Sequence, residues 1–350
     1  MNIRKELLEI PDALRQMREE GRPHYDALVR RVNWGERPVF MLGDGLAYPA
    51  ALSGAWAFES LLGMPVIVQR PTAFTAYASR ALARHSLVIA VAGANDCEET
   101  LAAAQKARSR GATVWAVTAD PAGELARHSD AIVNDFSGAP AVEGSRSIFC
   151  RHAAMVFLAV AAAHILKAPG RQLSAQEEEL GKLARHVEWV LEQIADAGAA
   201  LAKEMRSLSG IVITGGGAFY PVALQAAGRL WQAAGTPATG IELLDFQQSS
   251  RPPLQPGSGF LYLSSSRCGL KAHVHHSARE ARQHGKQKIF AITDSNDRQL
   301  SDRADLAVLL PVLTEACGAL LTLAFLEAAV SFAAKSPPGT SARRGRAARS

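Results

Sequence analysis

Two ten-residue stretches carry the residue types best suited to holding an anion. They are GDGLAYPAAL at 43–52 and GGGAFYPVAL at 215–224, identical at six of ten positions at an offset of 172 residues. Each follows an apolar strand-like run and precedes an apolar helical run. A strand–glycine turn–helix junction aims unpaired N–H groups and the positive end of a helix dipole at one point, which suits a phosphate. Gly43, Gly45, Gly215 and Gly217 permit the sharp turn and a ligand's close approach. A dinucleotide fingerprint is excluded, because Tyr48 and Tyr220, each followed by proline, stand where its third glycine would fall.

A second group follows the apolar run GFLYL at 259–263: Ser264, Ser265, Ser266 and Arg267. Their hydroxyls and guanidinium could complete an anion cradle with Gly215 and Gly217, since a guanidinium takes phosphate bidentately. The same serines could equally cap the helix that follows. At the matching place in the first half stand Ala92, Ala94, Asn95, Asp96 and Cys97, of which Asn95 and Asp96 are the polar candidates for ligand contact. His273, His275, His276 and His284 invite a metal reading, but no carboxylate lies at ligand spacing nearby, so a solvated helix start and no metal are expected. Cys97 and Cys268 occupy loops at helix N-termini, which would lower a thiol pKa, although no adjacent base supports a nucleophile.

The elements that position these groups can be read from periodicity. Short apolar runs at 38–42, 66–68, 86–92 and 113–118 alternate with helical patterns, and the alternation restarts after residue 200. Short βα connections argue parallel sheets with helices on both faces, and an unbroken run such as 86–92 suits a central strand. Four landmarks recur in the same order in the two halves, so the chain reads as a duplication. The expected division is a helical lead-in at 1–35, a first domain at 36–167, a linker and connecting helix at 168–200, a second domain at 201–335 and a disordered basic tail at 336–350.

Composition bounds the rest. Apolar residues make up 48% of the 350 and charged residues 20%, which is globular. The apolar runs 153–166 and 320–334 are too short, or too interrupted by His164 and Glu327, to span a bilayer, so buried helices and no membrane contact are expected. No export signal is visible and the four cysteines form no CxxC pair, which suits reduced thiols in a cytoplasmic protein. Four of the net +5 charges sit in the tail at Arg343, Arg344, Arg346 and Arg349, so nucleic acid is not an expected partner.

Taken together, the glycine turns, Tyr48 and Tyr220, the block WAFESLLGMP at 56–65, the loops at 92–97 and 264–269, and Asp130 resemble a known pattern. Each half resembles a sugar isomerase (SIS) domain. The tandem is similar to the isomerase part of glucosamine-6-phosphate synthase and to related phosphosugar isomerases and fructosamine deglycases. The resemblance implies two flavodoxin-like αβα domains with five-stranded parallel sheets, a sugar phosphate held where the two loops of a half converge, a homodimer and no cofactor. It adds Glu59, in the matched block, and Glu143, on the loop that closes over the sugar, as weak catalytic candidates. Ser145 and Ser147 join Gly43, Gly45, Tyr48, Asn95 and Asp96 as substrate contacts.

The same resemblance marks what is missing. The hydroxyls expected at Ala47, Ala92 and Ala94 are absent, and each would contribute on the order of 1–3 kcal/mol when bonded to a charged group. The position of the family's catalytic Glu falls at Gln232, and that of its His near residues 247–250. An amide takes no proton at neutral pH, and the ring-closing Lys is not recognisable in SPPGTSARRGRAARS. Asn2 follows Met1, so ammonia transfer from glutamine is not expected. The function expected is a phosphosugar-binding, isomerase-like or deaminase-like protein with a diverged centre. The alternatives are a non-catalytic sugar-phosphate or nucleotide-sugar sensor and an enzyme for an unphosphorylated sugar.

Overall fold

The structure, a computed structural model, describes residues 3–35, 38–93, 97–138, 144–168, 171–193, 195–248, 257–284 and 287–334. Three short helices lead in: α1 (Ile3–Leu8), α2 (Ile10–Gln16) and α3 (Arg22–Arg30), the last two joined by a π turn at Met17–Gly21. The first half then runs β1 (Val39–Gly43), α4 (Tyr48–Leu62), β2 (Val66–Gln69), α5 (Pro71–Ala76), β3 (Leu87–Val91), α6 (Glu98–Ser109), β4 (Thr113–Val117), α7 (Glu124–Arg127), β5 (Ala131–Val133) and α8 (Ser145–Ile165). Two helices follow, α9 (Arg171–Gln193) and α10 (Ala195–Arg206). The second half comprises β6 (Ile211–Gly215), α11 (Phe219–Arg229), β7 (Ala238–Glu242), α12 (Leu243–Gln248), β8 (Gly259–Leu263), α13 (Lys271–His284), β9 (Lys288–Asp294), α14 (Arg298–Ser301), β10 (Leu306–Leu310) and α15 (Glu315–Ala333).

Each half forms a five-stranded, all-parallel sheet, in the orders β2-β1-β3-β4-β5 and β7-β6-β8-β9-β10. The expected α/β architecture of two parallel-sheet domains is therefore present. The duplication extends to the register: Val39 pairs with Val66 and Leu87, and Ile211 pairs with Ala238 and Gly259, every partner shifted by the same 172 residues. Asp130 and Asp305 repeat one role. Each carboxylate accepts the N–H that opens the neighbouring strand (Val114, 2.8 Å; Ile289, 2.7 Å) and pairs with an arginine, Arg108 or Arg282. Asp130 thus clips a loop to a strand.

The core follows from composition. β1, β3, β6 and β8 are buried along their whole length, as near-continuous apolar strands require. α8 and α15 are apolar on every side and lie inside the molecule. Both are long and apolar enough to cross a membrane by length and composition, yet 89% and 83% of their apolar windows are buried within the fold. One hydrophobic cluster runs through both halves, joining α4, α8, α11 and α15. The 168–200 stretch, read from sequence as a linker with one helix, holds all of α9 and the start of α10, and these pack against α2 and α15. In both halves the strand order reverses beside the first strand, so the loops after β1 and β3, and those after β6 and β8, meet at a topological switch point where open α/β sheets take ligands.

Candidate functional site

At the second-half switch point lies a cavity of about 640 Å³. Gly217 comes from the glycine turn, Arg267, Gly269 and Leu270 from the loop after β8, and Thr314, Glu315 and Ala316 from the start of α15. Trp56, Ser60 and Leu61 reach in from α4 of the other half, and Ala175 and Gln176 from α9. The cavity is therefore an inter-domain feature, built mainly from residues far apart in sequence.

Its centre is a carboxylate. Glu315 Oε1 accepts the Ala218 N–H at 3.2 Å and Oε2 accepts the Gly269 N–H at 3.0 Å, so both loops donate to one group. Glu315 is the first residue of α15, where the helix dipole favours negative charge. Gly217 has φ +58°, and a Cβ there would lie 2.3 Å from Glu315 Oε1. Glycine thus serves both the left-handed turn and the carboxylate's approach. A second carboxylate, Glu179 on α9, accepts the Thr314 N–H at 2.5 Å and stands 3.5 Å from Arg267 at the cavity mouth.

Of the second-half residues singled out by sequence, Gly217 and Arg267 line this cavity. Gly215 lies beneath the turn, against Phe219. Ser264 and Ser265 are buried under the loop, while the N–H and hydroxyl of Ser266 both donate to Asp294 Oδ2, at 2.7 and 2.9 Å. Glu315, Thr314, Glu179 and Gln176 were not singled out. The Thr-Glu pair opening an apolar run is a helix-start signal that marks Glu315, whereas nothing local marks α9 as a wall.

The first-half switch point is filled differently. Asp44 accepts the Gly45 N–H at 2.8 Å, and its other oxygen lies 3.8 Å from the Cys97 thiol, which also donates to Glu99 at 2.6 Å. These three ligand atoms lie within 4.8 Å of one another, a grouping able to hold a metal ion. Arg70 pairs with Asp44 at 3.6 Å and stacks over the Tyr48 ring at 3.9 Å. Leu46 packs onto Gly228 of α11, whose missing Cβ would meet it at 2.7 Å. At the repeat-equivalent position of the second cleft stands Trp56, a wall rather than a gap. Gly43 turns the chain tightly against Ala47 and Tyr48. Asn95, Asp96 and Ala94 lie outside the described residues, as does Glu143.

The other candidates have structural partners. Glu59 accepts the Val66 N–H at 3.4 Å at the end of α4. Ser145 is fully buried, donating to Glu327 at 2.6 Å and accepting from Arg229, and the Ser147 hydroxyl accepts the Gly144 N–H at 3.1 Å and donates to the Gly144 carbonyl. Gln232 is exposed and accepts from Arg229 at 2.8 Å, while Gln247 donates to the His273 carbonyl. The expectation that no carboxylate lies at ligand spacing near these histidines is corrected: His276 stands 3.3 Å from Glu280, one helical turn on, and His275 bonds Asp297 at 2.6 Å, a partner distant in sequence. The expected lowering of the Cys97 and Cys268 thiols is corrected. Burial, with Glu99 beside it, raises Cys97, and burial with Glu315 pushes Cys268 up to about 12, outweighing any helix-terminus effect.

Gly217→Ala tests the second-half turn. A left-handed φ costs a non-glycine residue about 1–2 kcal/mol, and the methyl group displaces Glu315 from the Ala218 N–H. The variant unfolds more easily in urea by about that amount or more, whereas an unchanged midpoint would show that the turn relaxes freely.

The SIS domain pattern matches residues 34–164 and 204–332. Curated relatives include the glutamine–fructose-6-phosphate aminotransferases (isomerizing) of Leifsonia xyli, 26% identical over 88% of this chain, and Chlorobaculum tepidum, 23% identical over 91%. The chain spans about half the length of these relatives, 52% and 53%. Among solved structures, the C-terminal domain of glucosamine-fructose-6-phosphate aminotransferase from Francisella tularensis superposes with a TM-score of 0.82 at 14% identity, covering 95% of both chains. Glucosamine-6-phosphate deaminase from Thermotoga maritima superposes with a TM-score of 0.70 at 14% identity, covering 94% of this chain and 93% of that one. With two matched domains across most of its length, the chain belongs to the SIS domain family.

Proposed function

We propose that the protein binds a phosphorylated sugar, its phosphate seated where the loops after β6 and β8 converge. The observation that carries the reading is the grip on Glu315. The Ala218 and Gly269 N–H groups, one from each loop, both donate to a single carboxylate, so the two loops are shaped around an oxyanion. Arg267 brings a guanidinium to the mouth, Trp56 offers an indole wall, and about 640 Å³ accommodates a hexose phosphate.

The chemistry proposed is isomerisation or deamination of an amino-sugar phosphate, run by a centre unlike that of the synthase relatives. A second reading, a non-catalytic sugar-phosphate sensor or subunit, is favoured by Gln232, an exposed amide tied to Arg229 where the family's base belongs. A homodimer is the assembly proposed with either, and the exposed Trp231 and Tyr77 are large apolar groups suited to an interface.

Thermal unfolding against paired sugars with and without phosphate tests the reading. A sugar phosphate at 100 times its Kd adds about 2.7 kcal/mol of stability. A shift confined to phosphorylated sugars supports the proposal, and a shift with free sugars alone replaces it with an unphosphorylated ligand. Turnover of fructose-6-phosphate or glucosamine-6-phosphate then separates enzyme from sensor.

A further inference from the structure

The group that fills the second-half cradle belongs to the chain itself. The N–H donors that hold Glu315 are the donors a phosphate would need, and each offers one proton. Two oxyanions on the same pair of donors would also repel. The arrangement is fitted rather than incidental: Gly217 leaves the space that Oε1 occupies, and the N-terminus of α15 favours the charge. Arg267 is not committed to Glu315, since it stands 3.5 Å from Glu179 and remains half exposed at the mouth. Beneath the loop, Ser265 is 3% exposed, faces the first turn of α15 at Gly318, and has an Oγ without a hydrogen-bond partner among the described residues.

We propose that Glu315 is a tethered competitor for this anion site and sets which anions the site accepts. A phosphate dianion, which also gains Arg267, displaces the carboxylate into the cavity that Glu315 already lines. A monocarboxylate ligand offers no more charge than the resident group and does not displace it. The inference rests on the phosphosugar reading above and adds to it the residue that selects phosphate over carboxylate.

The test is calorimetric titration of the full chain with inorganic phosphate, in wild type, Glu315→Gln, Glu315→Ala and Glu315→Ala/Arg267→Ala. Ligand-free thermal unfolding serves as the folding control. Removing a charged acceptor from two donors should tighten phosphate binding in Glu315→Ala by about tenfold or more. Glu315→Gln should gain less, because its amide oxygen still accepts one N–H without charge, and adding Arg267→Ala should remove the gain. Acetate should stabilise Glu315→Ala, whose vacated donors accept a free carboxylate, and leave wild type unmoved. Unchanged or weaker phosphate binding in Glu315→Ala, or equal stabilisation of both proteins by acetate, overturns the competitor role. If wild type still shifts with a sugar phosphate in that case, the binding function stands alone. Silence of every variant toward phosphate overturns both.

Discussion

Glu327→Ala lowers the free energy of unfolding by about 3–5 kcal/mol, the loss typical of breaking one partner out of a buried ion pair. Glu327 and Arg229 are each 1% exposed, with Arg229 Nε 3.1 and 3.3 Å from the two carboxylate oxygens. Ser145 donates to Glu327 and accepts from Arg229, which also donates to Gln232. Burial pushes the Glu327 carboxyl up, while Arg229 and Ser145 pull it part of the way back. The alanine variant strands a buried guanidinium, and that stranded charge, rather than the lost attraction, is the main penalty. The pair Arg229→Met/Glu327→Leu should therefore recover most of the loss, since apolar groups of similar volume replace a buried pair at little cost. Urea unfolding of the single and double variants measures both. A single-variant loss below about 1 kcal/mol would mean that water reaches the site. Ser145 begins α8 of the first half while Arg229 and Glu327 lie on α11 and α15 of the second, so the network joins the two halves.

Acid weakens the protein between about pH 6.5 and 4 through His152. This ring is fully buried, with Nδ1 2.8 Å from the Ser53 hydroxyl and Nε2 3.3 Å from Gln225 Oε1. Burial is the largest cause lowering its pKa from 6.5 to about 4, with Arg151 adding to it and Gln225 opposing. The sign follows: the folded state keeps the ring neutral while the unfolded chain takes up a proton below about pH 6.5. The contribution is thus complete above that pH and lost as pH falls through the folded value near 4. A depression of this size corresponds to about 3 kcal/mol. His152→Gln keeps a polar group beside Ser53 but cannot titrate. It should be weaker than wild type at neutral pH and should lose less stability between pH 6.5 and 4. Parallel pH profiles for the two proteins would show that the ring is protonated in the fold. Asp135 and Glu327, both raised by burial, titrate identically in the two proteins and cancel in the difference.

Much of the fold was legible because it is set by near-neighbour physics. The apolar runs became the buried strands, the block at 56–65 ended its helix on Gly63 in a left-handed cap, and the repeat offset reappeared as identical strand register. The site was legible in part. Gly217 and Arg267 line the cavity, yet Ser145, Ser147 and Ser266 spend their hydroxyls on protein partners, because a hydroxyl near an orphan carboxylate or helix end bonds it before any ligand arrives. The cysteines went the other way from a helix-terminus argument, since desolvation and a neighbouring carboxylate both raise a thiol pKa.

By itself, the sequence determined the two parallel sheets, their duplication and the two glycine turns, and it set an amide, Gln232, where the resemblance leads one to expect a base. These depend on periodicity, on backbone freedom at glycine and on residue identity, all local properties. Only the tertiary structure decided what stands in each cleft. Glu315 meets Ala218 across 97 residues of chain, and Trp56 walls a cavity belonging to the other half, while Leu46 fills the equivalent space over Gly228. Such contacts arise from how α4, α11 and α15 pack between the sheets. Two copies with matching local patterns can therefore set a carboxylate and an indole wall at one cleft and a leucine against a helix glycine at the other.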